Sequence, residues 1–209
     1  MTEKQIWDKL VALTGSEIFT AALMGNMKAE SALKANNLQN SYEKRLGYTD
    51  ETYTAVIDKH TYTRDRFSHD CAGYGLCQWT SSGRKTALYN YWLNHDPAVS
   101  IGDCSMQIDF CISELRSAYP GIWNKRQEYK TIWDATADVL RKYERPADQS
   151  DANVTRRANM GQAFYDAYHT EDNTTPIDLS MVMEELAKAK TYMEEAEKHI
   201  LEAMEELEV

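Results

Sequence analysis

Apolar residues recur at helical spacing over most of the first 170 positions. Ile6, Leu10 and Leu13 mark one face of a short first helix. Ser16 then stands as an N-cap ahead of a second helix, whose Ile18, Phe19, Ala22, Leu23 and Met27 share a face. The same period returns in "SGRKTALYNYWLNH" (82–95), "SMQIDFCISELRSAY" (105–119), "TIWDATADVLRKYE" (131–144) and "NVTRRANMGQAFYDAYH" (153–169). Pro97, Gly102, Pro120–Gly121 and Pro146 punctuate these segments. Residues 36–70 lose the period. They are rich in Tyr and Thr and carry one alternating run, "TYTAVID", which predicts a loop-rich insert with a small β-hairpin.

A different pattern follows a polar stretch, "TEDNTTP", at 170–176 that reads as a linker. Leu179, Leu186, Met193, Ile200 and Leu207 recur every seven residues, and Val182, Ala189, Ala196 and Ala203 fill the positions three later. An a/d heptad of this length, with small alanines at d, predicts a coiled coil and hence a homo-oligomer through residues 177–209; an intramolecular clasp is the alternative. The expected architecture is mainly α: a helical domain over 1–169 with a small irregular/β lobe, the linker, and a C-terminal α-helical coiled-coil segment.

Charge sharpens this division. The chain of 209 residues has a net charge of −10. The segment 177–209 holds ten acids against three lysines, so most of the excess sits there and the first domain is only mildly acidic. Neither part has a Lys/Arg-rich stripe, which argues against nucleic acid as a partner. No run approaches the ~18–20 apolar residues of a membrane span, and the charged start "MTEKQIWDKL" is no signal peptide. Cys71, Cys77, Cys104 and Cys111 have neither CxxC spacing nor paired histidines nearby, so no metal or other cofactor is expected and reduced thiols are the default. A cysteine peptidase using Cys71 or Cys77 with His60 or His69 is a weak rival, since Cys77 reads as a packing position.

Two short motifs carry the chemistry. In "MGNMKAESAL" (24–33) the carboxyl of Glu30 stands among Leu23, Met24, Met27, Ala29 and Leu33, at a helix end where the dipole disfavours an acid. An apolar setting of that kind keeps a carboxyl protonated, as the general acid of glycoside cleavage must be. In "DCAGYGLCQWTSSGR" (70–84) Gly73 and Gly75 allow close approach of a ligand, Gln78 offers a donor and an acceptor, and Tyr74 and Trp79 present ring faces for sugars. A glycine turn with an aromatic plug explains the same residues without a ligand. Asp70 is the first candidate for a second carboxylate and Asp58 the second. Arg45, Arg64, Arg66, Arg84, Lys85 and Lys125 are candidates for a positive cleft rim.

"GNMKAES", then "GYGLCQWT", then "YERP" at 143–146, resemble the phage tail lysozyme family, over about residues 4–168. The resemblance implies a lysozyme-like fold, distantly similar to goose-type lysozymes and lytic transglycosylases. Peptidoglycan would be the substrate, cleaved at the β-1,4 bond between N-acetylmuramic acid and N-acetylglucosamine. It further implies Glu30 as the catalytic glutamate, Gly73 to Trp79 as the cleft floor and "YERP" as a mainly structural segment. The short chain suits a free endolysin held in the host cytoplasm until a holin releases it to the wall. A lytic transglycosylase, or a wall-binding module of the same fold, remains the alternative.

Overall fold

Helix α2 (Glu17–Ser31) organises the domain because it is apolar nearly all round. Ten of its residues are buried, from Phe19 through Met27 and again at Ser31, which makes it a core helix rather than an amphipathic surface one. Ser16 caps it, its side chain accepting from the Phe19 N–H. Helix α1 (Glu3–Thr14) starts with a capping box between Thr2 and Gln5 and ends at Gly15, which adopts φ +65°. Helix α1 spans the predicted positions Ile6, Leu10 and Leu13, and Ser16 is the predicted cap.

A computed structural model describes residues 1–95 and 99–170, together with Ala187, Lys190 and Met193. After α2 come α3 (Asn40–Leu46), α4 (Asp50–Asp58), α5 (Arg64–His69), α6 (Ser82–Leu93), α7 (Cys104–Ala118), α8 (Pro120–Trp123) and α9 (Ile132–Asp138). A π-helical segment, Val139–Glu144, continues α9, and α10 (Asp151–Tyr168) closes the domain. Residues 1–169 form one compact unit and 170–209 another. The heptad segment and the linker lie outside the described residues, apart from Thr170, Ala187, Lys190 and Met193.

The expected β-hairpin is not there. "TYTAVID" lies wholly within α4. Thr49 forms a capping box with Thr52, and Tyr53 and Ile57, one helical turn apart, bury one face of the helix. A four-residue spacing of large apolar groups and a strong cap outweigh the β-propensity of the Thr and Tyr residues between them. Among the described residues, β pairing is confined to isolated bridges, Leu38 with Tyr74 and Tyr74 with Trp79.

Helices α2 and α10 touch backbone to backbone. A Cβ on Gly161 would lie 2.5 Å from the Ala21 carbonyl oxygen, and one on Gly25 would collide with the Arg157 carbonyl oxygen. The two glycines thus set the distance between these helices and, with it, where α10 presents Arg157 to α2.

Gly161→Ala therefore tests the contact with opposing signs. Helix propensity alone would stabilise the variant by ~1 kcal/mol. The clash is with backbone, which cannot swing away, so the expected result is a net loss of about 1–3 kcal/mol in denaturant unfolding. Unchanged or increased stability would show that α10 can retreat at no cost.

Candidate active site

Glu30 occupies the last turn of α2 and lines an open cleft of about 590 Å³. Its walls include Gln39 and Tyr42 at the start of α3, Cys71, Cys77, Gln78 and Thr80 from the glycine-rich turn, and Glu144 to Ala147 after the π-helical segment. A second chamber of about 430 Å³ adjoins it, with Ser81, Arg84, Tyr119 and Tyr143 in its walls. Gln78, Thr80, Glu144 and Arg145 line both.

Glu30 does not stand alone among apolar groups as its neighbours in sequence suggest. Leu23, Met24 and Met27 turn into the core, while Glu30 Oε1 meets Arg157 Nη1 at 2.7 Å. Arg157 is almost fully buried and also donates from Nη1 to Asn26 Oδ1 at 3.2 Å. The next residue, Ser31, shares its hydroxyl between the Met27 carbonyl at 3.1 Å and the Leu76 carbonyl at 3.0 Å. The Glu-Ser pair therefore does two jobs: Glu faces the cleft, and Ser ties the end of α2 to the glycine-rich turn.

That turn is held from below. Gln107 of α7 accepts from the Leu76 N–H and donates to the carbonyls of Ala35 and Ile101. The Gly73 carbonyl accepts from the Gln39 N–H, the Gly73 N–H donates to Gln39 Oε1, and the Gly75 N–H donates to the Asn37 carbonyl. Gly75 takes φ +79°, and a Cβ there would strike the Gln107 amide. Gln78 lines the cleft, with its amide nitrogen bound to Asn37 and to the Gly75 carbonyl. Tyr74 and Trp79 are completely buried, so neither offers a face to a sugar. The Tyr74 hydroxyl pairs with Thr54, and Trp79 Nε1 donates to Glu114. The half-buried rings at the cleft are instead Tyr42 and, in the second chamber, Tyr119.

Neither candidate aspartate lines the cleft with Glu30. Asp70 is buried in an ion pair with Lys85, accepts from the Tyr53 and Tyr62 hydroxyls, and caps the Ala72 N–H. Lys85 has no exposed side-chain surface; its ammonium also donates to the Ala72 carbonyl and the Tyr53 hydroxyl and lies over the Phe67 ring. Burial pulls the Lys85 ammonium below its ordinary value, against the pull of Asp70. Asp58 accepts from the Ser100 hydroxyl and the Ile101 N–H, bracing the 100–102 turn. Arg84 and Lys85 are therefore not a positive rim. Arg84 forms a bidentate pair with Glu114, both bonds at 2.7 Å, and stacks on the Tyr143 ring.

The carboxyl that joins Glu30 at the cleft is Glu144, which sequence proximity did not reveal. Burial first, and then the charge of Glu30, hold its carboxyl well above the usual range. It makes no hydrogen bond or ion pair among the described residues. Two signals in the chain do mark the place. The π-helical segment is a rare geometry that concentrates at functional sites. Three cleft residues other than glycine, Cys71, Gln78 and Arg145, adopt positive φ of 62°, 45° and 55°. Such strained backbone clusters where a site over-determines it.

A family comparison decides the class: the model for phage tail lysozymes matches residues 1–168. The chain belongs to the phage tail lysozyme family. Its first 168 residues are thus a lysozyme-like, peptidoglycan-lytic domain. No curated protein and no solved structure matches the chain significantly. All four cysteines are free, with Cys77 and Cys111 buried. No helix among the described residues is long and apolar enough to cross a membrane.

Two substitutions separate support from chemistry. Asp70→Asn leaves the Lys85 ammonium buried without a counter-charge, and a loss of about 3–5 kcal/mol is expected in denaturant unfolding. Activity per folded molecule should hold within about threefold. A stable but inactive variant would return Asp70 to the chemistry. Glu144→Gln should shift stability in the opposite direction. A carboxyl whose folded value is raised favours folding most below the unfolded value, ~4.3, and that advantage is lost as pH rises through the folded value. Thermal melts should therefore show the Gln variant more stable than the parent at pH 7–8, with the gain vanishing near pH 4. A gain confined to low pH would contradict the assigned environment.

Proposed function

We propose that the domain is a muramidase that hydrolyses the β-1,4 bond between N-acetylmuramic acid and N-acetylglucosamine, with Glu30 as general acid. The observation that carries this reading is the position of Glu30: last turn of α2, facing an open two-chambered cleft, in a chain of a lysozyme family. Arg157 holds one carboxyl oxygen and orients the group, leaving the other for the glycosidic oxygen. Protonating that oxygen makes a poor leaving group a good one, and the sugar cation that develops is stabilised by nearby negative charge. Water then adds to the anomeric carbon and gives up a proton to the Glu30 carboxylate, which restores the acid. Family membership and the occupied state of Asp70 and Asp58 favour a mechanism in which Glu30 is the acid and neither aspartate acts.

The same occupancy keeps the lytic transglycosylase reading in view. That reaction uses one acid, which later serves as base toward the sugar's own 6-hydroxyl, and it requires no second aspartate. The chain's biological setting follows as part of the proposal: a phage endolysin acting on the host wall after release, gathered into oligomers by residues 177–209.

Muropeptides released from purified peptidoglycan, analysed by mass spectrometry, test this reading. The parent should yield reducing-end muramic acid, and Glu30→Gln should lower the rate by about 10²–10⁴-fold. Anhydro-muramic ends would make it a transglycosylase. Cleaved peptide stems on intact glycan would overturn both.

A further inference from the structure

Most charged groups at the cleft have a partner within the protein. Arg157 is committed to Glu30, and Arg84 to Glu114, which also accepts from Trp79 Nε1 at 3.0 Å and the Tyr143 hydroxyl at 2.7 Å. Glu144 is the exception. The charged and titratable groups around it are Glu30 from α2, Arg84 from α6, Cys111 from α7, Arg157 from α10 and Cys77 from the glycine-rich turn, with Tyr143 and Arg145 beside it in the chain. Both nearby buried arginines are already neutralised, and Arg145 is exposed to solvent. The Cys77 thiol is itself pushed upward by burial, so it stays neutral. Glu144 therefore has no counter-ion and no hydrogen-bond partner of its own among the described residues, and its carboxyl stands at the cleft with Glu30.

The place matters as much as the charge. Glu144 lines both chambers, so it stands where a ligand long enough to fill them must cross. The π-helical turn puts it there, closed by the Arg145 N–H donating to the Leu140 carbonyl at 2.7 Å. A carboxyl at such a point, without a partner in the protein, has its hydrogen-bonding capacity directed to the cleft.

We propose that the Glu144 carboxyl donates its O–H to an oxygen of the sugar bridging the two chambers, and so positions the glycan for Glu30. This rests on the muramidase reading of the same cleft. The substrate group it selects is an acceptor oxygen, an acetamido carbonyl or a ring hydroxyl. When Glu144 ionises, the donor is lost. The consequence is a loss of glycan binding as pH rises through the titration of Glu144. A glutamine keeps a donor of the same reach and cannot titrate.

The experiment compares the pH dependence of kcat/KM on purified peptidoglycan for the parent, Glu144→Gln, Glu144→Ala and Glu30→Gln. Glu144→Gln should lose about threefold at neutral pH and lack the parent's alkaline fall. Glu144→Ala should lose about tenfold or more at neutral pH, mainly through KM, as deletion of one hydrogen bond to substrate does. A Glu144→Gln variant as inactive as Glu30→Gln would show that Glu144 transfers its proton, and would overturn the proposal. So would an unchanged alkaline fall in Glu144→Gln. Co-sedimentation with insoluble peptidoglycan supplies a readout that needs no turnover. Weaker sedimentation of the Ala variant than of the Gln variant supports the donor, and equal sedimentation refutes it. Should the parent release no reducing sugar ends while this binding difference persists, the muramidase reading fails and the Glu144 contact stands.

Discussion

The contact between α2 and α10 is the constraint from which the site follows. Two helices ordinarily pack with axes 8–10 Å apart, the spacing set by the side chains between them. Here Gly25 and Gly161 remove those side chains, and the backbones meet. The buried guanidinium of Arg157 then falls beside the last turn of α2, where it reaches both Asn26 and Glu30. A longer separation would leave a buried arginine without its carboxylate, which costs far more than the packing lost. The end of α2 that faces the cleft is thus positioned by a contact one turn and more away from it, made by residues with no side chain of their own.

The domain manages its buried charges by a consistent rule, and the rule explains where the sugar chemistry can occur. Asp70 with Lys85 and Glu114 with Arg84 are pairs surrounded by tyrosine and tryptophan donors, so their lone pairs and protons are used up inside the protein. Such groups support the walls and have nothing left for a ligand. Glu30 has only one oxygen engaged, and Glu144 has none engaged among the described residues. Reactivity in this cleft is a matter of which carboxyls the fold leaves unsatisfied. The same cleft carries the strained backbone of Cys71, Gln78 and Arg145, a common relation between activity and stability.

Much of the helical frame was legible because it obeys one rule, apolar groups three and four residues apart, with caps where expected. Ser16 and the face of α2 are examples. The small lobe misled because Thr and Tyr favour strands when considered singly, while the Thr49 cap and the Tyr53–Ile57 pair, read together, specify a helix. Tyr74 and Trp79 sit on a turn that folds back on itself through an isolated bridge, so their rings point into the core although the motif around them lines the cleft. Asp70 is adjacent to that motif in sequence, yet Cys71 at φ 62° turns the chain sharply after it and leaves the carboxylate beneath Lys85.

The residues that were not legible share a cause. Arg157 lies 127 positions beyond Glu30, and no local pattern announces that a surface-looking "RR" has one member buried. Glu144 belongs to a π-helical turn, and a helical wheel drawn at 100° per residue assigns it to the wrong direction by the time the segment ends. The same departure from α geometry brings Arg145 into the left-handed region and lets the chain reach Pro146 along the cleft wall. A regular α-helix through 139–145 would rotate Glu144 away from Glu30 and separate the two chambers from the carboxyl they share. The irregular turn is therefore what joins an acidic residue of one helix to the end of another, and it is the part of the site that periodicity, by its nature, cannot express.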